Sequence, residues 1–299
     1  MTSTTIIDDH RASGPRGAEA ANPRRSTHLP ARRLRFGGVL RSEWIKLGSL
    51  RSIRVSILVT VLVGLGLSAL SAFALVSTEG MEGGGVLGTG DGALQSYLLF
   101  TATSAAPFLA LIFGLIGVFV ISSEDSSGMI LSTLAAVPRR TPVFLAKAVV
   151  LAAISAAAAL VLVIGGLAIA IAMKPEAAAQ LGSAVVVSGG LGTIAYLVLI
   201  SLFAFGVAGL LRSTAGGIAV VAGVTFVLPI ALQILGMTGW EWVGAVSGYA
   251  PSALGGLLSQ GAVEVASGPG YWGALAAMAV WVVVATIPAA VLLKLRDAK

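Results

Sequence analysis

Long apolar stretches separated by short polar segments make up most of the chain from residue 36 onward. A helix rises 1.5 Å per residue, so about 20 apolar residues cross a hydrocarbon core of roughly 30 Å. Six stretches reach this length, which predicts an all-α membrane protein with six transmembrane helices. Their predicted bounds are residues 55–76, 97–121, 148–173, 185–211, 216–235 and 271–293.

The composition supports a membrane protein and restricts its chemistry. Hydrophobic residues make up 57% of the chain and charged residues 11%, whereas charged residues form roughly 25% of a soluble domain. The chain has no Cys, which excludes disulfides and cysteine-based metal sites. Its two His, His10 and His28, both lie in the polar first 35 residues. We therefore expect no metal site and no catalytic His in the apolar body.

Residues 1–35 contain no apolar run and are predicted to form a disordered cytoplasmic tail. Residues 36–54 differ, because Leu40, Trp44 and Leu47 recur at helical spacing between polar residues. This pattern predicts an amphipathic elbow helix in the membrane interface, with Trp44 as its anchor. The polar positions of the elbow helix are Arg41, Glu43, Lys46, Arg51 and Arg54.

Two further features modify the apolar pattern: a proline inside the second span, and a long segment between the last two spans. Pro107 lies inside the second span, where it predicts a kink. Residues 236–270, between the last two spans, are less polar than an ordinary loop and contain Trp240, Trp242 and Tyr249. We expect this extracytoplasmic segment to hold one or two short helices that lie on the outer face or dip partly into it. Packing at the membrane surface is the default interpretation, and a substrate gate is the alternative.

The distribution of basic residues predicts the orientation. If both termini, the loop at residues 122–147 and the turn at Arg212 are cytoplasmic, every one of the 19 Lys and Arg except Lys174 lies on the cytoplasmic side. Cytoplasmic loops of membrane proteins carry such an excess of Lys and Arg. We therefore expect both termini in the cytoplasm.

The predicted spans carry no Asp, Glu, Lys, Arg or His in their interiors, so they lack the usual proton relay, and Na⁺ coupling through backbone carbonyls stays an open alternative. The chain also lacks the G-x-x-x-x-G-K-[ST] motif that cradles nucleotide phosphates. Energy for transport would therefore come from another subunit. A passive channel or a structural integral membrane protein without an ATPase partner is the alternative.

The polar segment at residues 122–147 stands out between two apolar spans. It contains adjacent carboxylates, a Ser-Gly pair, a short semi-apolar run of helical character, and then a Pro followed by two Arg. Gly128 permits a chain reversal and Pro138 limits the short helix. The charged and turn-forming residues are Glu124, Asp125, Ser127, Gly128, Met129, Pro138, Arg139, Arg140 and Lys147.

Together with Glu43-Trp44-x-Lys46, this segment resembles the permease subunits of type-2 ABC transporters, particularly the actinobacterial kind. That family carries a Glu-Trp-x-Lys pattern in its elbow helix. Its first cytoplasmic loop reads Glu-x-x-Ser-Gly, a short helix, Pro-x-Arg and then Lys. Met129 stands where the family pattern has Thr. The matching loop positions are Glu124, Ser127, Gly128, Pro138, Arg140 and Lys147.

The resemblance implies that residues 36–299 form a six-helix permease domain of a bacterial plasma-membrane exporter. It implies a homodimer or heterodimer that binds two separately encoded ATPase subunits, and no nucleic acid. ATP and Mg would be held by the ATPase, with no cofactor on this chain. The segment from Glu124 to Lys147 would couple the two subunits, and the short helix after Gly128 would occupy a groove on the ATPase. The expected interface residues of the elbow helix are Glu43, Trp44, Lys46 and Arg51.

Overall fold

The computed structural model describes residues 36–49, 51–79, 90–127, 140–263 and 268–295. All regular secondary structure in these ranges is helical, which confirms the all-α prediction. The α-helices are α1 (Phe36–Ser49), α2 (Arg51–Glu79), α3 (Asp91–Thr103), α4 (Ala106–Ser127), α5 (Arg140–Met173), α6 (Ala184–Leu211), α7 (Thr214–Ala222), α8 (Leu228–Gly236), α9 (Glu241–Ser247), α10 (Pro251–Ser259) and α11 (Tyr271–Leu295). A 3-10 helix covers Pro175–Gln180, and a π-helix covers Gly223–Val227.

Six helical segments of the described chain are long and apolar enough to cross a membrane, as predicted. Several of these helices extend beyond the predicted apolar stretches. Polar residues at their ends can continue the helical backbone hydrogen bonds while their side chains face water. The six segments are Arg51–Thr78, Asp91–Ser122, Pro142–Met173, Ala184–Leu211, Thr214–Gly236 and Tyr271–Leu293.

Two spans are interrupted near a proline. The second span breaks at residues 104–105 between α3 and α4, as Pro107 predicts, since a proline cannot donate the backbone hydrogen bond to the preceding turn. In the fifth span the π-helix lies between α7 and α8, and Pro229 lies in the first turn of α8. Arg212 adopts left-handed φ of 49° and ends α6, so the next helix can begin at once as an antiparallel neighbour.

Helix α6 lies at the centre of the packing and contacts α3, α4, α5, α7, α10 and α11. Glycines permit its closest approaches: Gly117 of α4 faces the Ser201 carbonyl of α6, and Gly206 of α6 faces the backbone at Ala285 of α11. Small residues let membrane helices approach this closely and gain van der Waals contact.

The segment between the fifth and sixth spans folds back along α6. Gly261 lies against Val185 near the start of α6, whereas Gly255 lies against the ring of the buried Tyr196. Tyr196 is about 18 Å along α6 from its first residue, at 1.5 Å per residue. The segment predicted to hold one or two short helices contains α9 and α10, and α10 packs between α6 and α11.

Several predictions concern parts of the chain outside the described residues. These are the tail at residues 1–35, residue 50 of the predicted elbow, the middle of the polar segment at 128–139, residues 264–267 of the extracytoplasmic segment, and the last four residues at the predicted cytoplasmic C-terminus.

Candidate functional site

The candidate site lies at the end of the helical bundle that carries α1, called here the α1 end. One buried apolar cluster joins residues from six helices there, so the end of α4 and the start of α5 lie close to α1. The cluster includes Leu47, Ile53, Val120, Phe144, Phe205 and Ala289.

Helix α1 buries one narrow stripe. Val39, Glu43 and Leu47 are buried, and their spacing of four residues places them on one helix face. Trp44 is 52% exposed and lies outside this stripe. The exposed Trp44 fits the predicted interfacial anchor, whereas Glu43, one of the predicted polar positions of the elbow, is buried with its carboxylate facing the bundle.

Glu43 is buried because it has a charged partner on α5. The Lys147 Nζ donates to Glu43 Oε2 at 2.7 Å, and only 3% of Glu43 and 4% of Lys147 are exposed. Apolar Val143, Phe144, Val150 and Leu151 of α5 surround this position along the helix. Removing one partner of such a pair leaves a buried charge and costs about 3–5 kcal/mol.

Lys147 lies within the third spanning helix, so this helix carries a charged residue that the predicted span, residues 148–173, did not include. Sequence reasoning started that span at residue 148, but α5 begins at Arg140 and its apolar segment runs from Pro142. Pro142 is the third residue of α5, in the first turn, where a missing N–H is tolerated. The helix therefore includes the Lys that the prediction placed in the preceding loop.

Lys46 adds a second cation next to this ion pair. Burial lowers the pKa of Lys46, the nearby Lys147 ammonium lowers it further, and Glu43 raises it. Lys46, the last residue of the Glu43-Trp44-x-Lys46 pattern, therefore lies near the Glu43–Lys147 pair.

Local hydrogen bonds lie at the junction between α1 and α2, within the predicted elbow at residues 36–54. Ser49 Oγ donates to the Lys46 carbonyl at 2.8 Å, and Arg54 Nη2 donates to the Ser49 carbonyl at 3.1 Å. Helix α1 ends at Ser49, and the exposed Arg51 begins α2. The predicted elbow therefore covers α1 and the first turn of α2, where Arg51 lies, and residue 50 is outside the described residues.

The other predicted coupling residues divide into three groups. Glu124, Asp125 and Ser127 lie in the last turns of α4, which continues five residues beyond Ser122. Arg140 is the first residue of α5. The loop predicted at 122–147 is thus shorter, because both flanking helices extend into it. Gly128, Met129, Pro138 and Arg139 lie outside the described residues.

At the opposite end, a pocket of about 510 Å³ lies between α8 and the α9–α10 segment. Gln233, Ser247 and Ser252 provide polar groups, and Ile230 and Val243 are among its apolar lining residues. None of these described lining residues is ionisable. The pocket can take an uncharged molecule that has both apolar and hydrogen-bonding parts.

Comparison with family models identifies the chain. The model of the ABC-2 family transporter protein matches residues 39–234, about two thirds of its length. The chain belongs to the ABC-2 transporter family. It is accordingly a multi-pass membrane protein and a permease subunit of an ABC transporter. A comparison with curated proteins gave no match.

The part matched to the ABC-2 family runs from Val39 to Ile234, so it contains both Glu43 and Lys147. Sequence reasoning singled out both residues but did not pair them. The sequence around each residue could have indicated the pairing: Glu43 lies between the apolar Val39 and Leu47 at four-residue spacing, and Lys147 lies among apolar residues of α5. Two opposite charges at apolar positions suggest each other as partners.

Proposed function

We propose that this permease subunit forms the translocation pathway of an ATP-driven exporter and couples to separate cytoplasmic ATPase subunits at the α1 end. The functional unit is a dimer of membrane subunits, identical or homologous, with two ATPase copies. ATP and Mg are bound by the ATPase. The pathway accepts an uncharged or amphipathic substrate, a choice supported by the lining of the pocket beside α8.

One observation carries the coupling proposal: the charged ends of α4 and α5 belong to the same end of the bundle as α1. Glu124 and Asp125 lie in the last turns of α4, and Arg140 begins α5. A soluble partner that binds there contacts the ends of two spanning helices at once. The pair of carboxylates gives it charges to recognise, and losing such a contact costs about 2–5 kcal/mol when it is buried.

The same end also holds the basic residues that favour a cytoplasmic location. Arg51 and Arg54 are exposed at the start of α2, and Arg212 is exposed in the turn after α6. Cytoplasmic segments of membrane proteins carry an excess of Lys and Arg, which supports a cytoplasmic location for the α1 end. The proposed ATPase contact residues from Glu124 to Arg140 would then also lie in the cytoplasm. Trp44, exposed on α1, supports an interfacial position for that helix.

Charge inversion tests the docking role. The permease with Glu124→Lys and Asp125→Lys should capture at least tenfold less of its co-expressed partner ATPase, since about 1.4 kcal/mol corresponds to one factor of ten. The measurement is a pull-down from membranes that hold equal amounts of permease. The unmodified chain should recover two ATPase copies per dimer, and the purified permease alone should show no ATP turnover.

The matched control inverts two exposed acids at the opposite end, Asp91→Lys with Glu176→Lys. Glu176, whose side chain is 67% exposed, pairs with the half-buried Lys174 at 3.5 Å, a long contact that contributes little stability. This control should leave ATPase recovery unchanged. Undiminished recovery with the Glu124 and Asp125 variant, or equal losses in both variants, would refute docking at the end of α4.

A further inference from the structure

The ion pair between Glu43 and Lys147 differs from the other contacts that hold α1. Val39 packs in an apolar cluster with Val143 and Ala146, and Leu47 packs in the cluster that includes Phe144. Apolar contacts are non-directional, so they permit one helix to slide or roll on another. A charge-assisted hydrogen bond of 2.7 Å has a preferred geometry and fixes which residues stand opposite each other.

Stability alone does not explain why α1 and α5 meet through charges. The desolvation of a buried ion pair offsets most of its attraction, and an apolar pair of similar size often holds a protein together equally well. The residues on either side of Glu43 in the buried stripe, Val39 and Leu47, are already apolar. What the ion pair adds to this stripe is a fixed register between the two helices.

The place of Lys147 in α5 gives this register a mechanical consequence. Lys147 lies in the same uninterrupted helix as Arg140, about 10 Å along it at 1.5 Å per residue. A displacement of the first turn of α5 therefore moves the Lys147 ammonium with it. Through Glu43 the displacement reaches α1, whose other side exposes Trp44 and Ile45.

We propose that Glu43 and Lys147 are positioning residues that make α1 move as one body with the first turns of α5 when the ATPase acts. The inference rests on the proposed function, since the ATPase supplies the displacement. Helix α1 thus moves during transport together with the start of the third span, because the buried ion pair holds the register between the two helices.

The absence of Cys allows a direct test by cross-linking. Val39→Cys and Ala146→Cys place one thiol on each helix within the same buried cluster. In the complete complex with its ATPase, disulfide yield is measured with the ATPase empty and with it trapped by ATP and vanadate. With the ion pair intact, the two yields should be equal, because the helices move together.

Replacing Glu43→Gln in this background should make the yield depend on the nucleotide. The yield in the trapped state should fall about tenfold relative to the empty state, because the Lys147 ammonium then faces a neutral amide, and this weaker contact no longer holds the register when α5 moves. The exchange Glu43→Lys with Lys147→Glu should restore equal yields. Arg41→Gln, which removes an exposed charge from the same helix, is the matched control and should leave both yields at the parent level.

Two outcomes overturn the proposal. Equal yields in both states for Glu43→Gln mean that the ion pair does not couple the motions, and a loss of the same size in both states means that it only holds α1 in place. If Glu43→Gln does not accumulate, Glu43→Asp provides the same comparison, since it keeps the charge but withdraws the carboxylate. A pull-down precedes the cross-linking, so failure of ATPase binding is recognised separately.

Discussion

At the residue scale, the bundle depends on positions where only hydrogen fits. A Cβ added to Gly117 would overlap the backbone carbonyl oxygen of Ser201, and one added to Gly206 would lie 2.8 Å from the carbonyl carbon of Ala285. Neither neighbour is the flexible end of a side chain, so the helices themselves would have to separate. Because α6 contributes to both contacts, a methyl group at either position acts on the most connected helix of the described structure.

Gly117→Ala should therefore destabilise the permease by about 1–3 kcal/mol, the usual cost of overpacking a tight core. Gly66→Ala is the matched control, because an added Cβ there meets nothing within 4 Å. The measurement is the midpoint of thermal unfolding in detergent, followed by size-exclusion chromatography. Equal midpoints for the two variants would contradict the close approach of α4 and α6.

At the element scale, α10 shows how a short apolar helix can be part of the bundle without spanning a membrane. Leu254 and Leu258 are fully buried, and the Tyr249 carbonyl accepts a hydrogen bond of 3.0 Å from Trp281 Nε1 of α11. Gly192 of α6 lies directly against the Leu258 carbonyl. The helix is thus held by apolar burial, by a glycine contact and by a hydrogen bond that satisfies a carbonyl in the segment before it.

A methyl group at position 192 should lift α10 from α6. In a Leu258→Cys background, we expect the buried thiol to resist a membrane-impermeant maleimide and the addition of Gly192→Ala to raise its labelling severalfold. Gly256→Ala, with open space around its added Cβ, serves as control on α10 itself. If labelling stays at the background level with Gly192→Ala, the packing of α10 against α6 is not what protects residue 258.

At the scale of the whole molecule, the uneven distribution of charge is the strongest indication of orientation. Exposed residues at the two ends give access for a direct measurement, since the chain has no native Cys to interfere. Glu176 and Thr238 are exposed at the end opposite α1, whereas Ser213 is exposed in the turn between α6 and α7.

Single cysteines at these positions should separate into two classes. In intact cells, a membrane-impermeant maleimide should label Glu176→Cys and Thr238→Cys but not Ser213→Cys, because the positive-inside bias holds the α6–α7 turn in the cytoplasm. After permeabilisation all three should react, which shows that Ser213→Cys is present. Labelling of Ser213→Cys in intact cells would reverse the proposed orientation.

The sequence by itself determined the class of the protein and the number of spans. A bilayer requires about 20 apolar residues per helix and satisfaction of every backbone hydrogen bond within it, so each span is specified locally. The break near Pro107 and the turn at Arg212 were predicted for the same reason, because each depends on residues next to it in the chain. The docking residues from Glu124 to Lys147 remain a prediction, since their side chains, apart from that of Lys147, lie outside the described part.

Only the tertiary structure decided which helices are neighbours. The spans are apolar on all sides, so their pattern does not say which face packs inward. In the local pattern Glu43 is one of the polar positions of the elbow helix, and its burial depends on Lys147, 104 residues away. The return of α10 along α6 depends likewise on Gly192 and Tyr196, which fit it in space but precede it by some 60 residues. Contacts between distant residues form only where the fold brings their helices together.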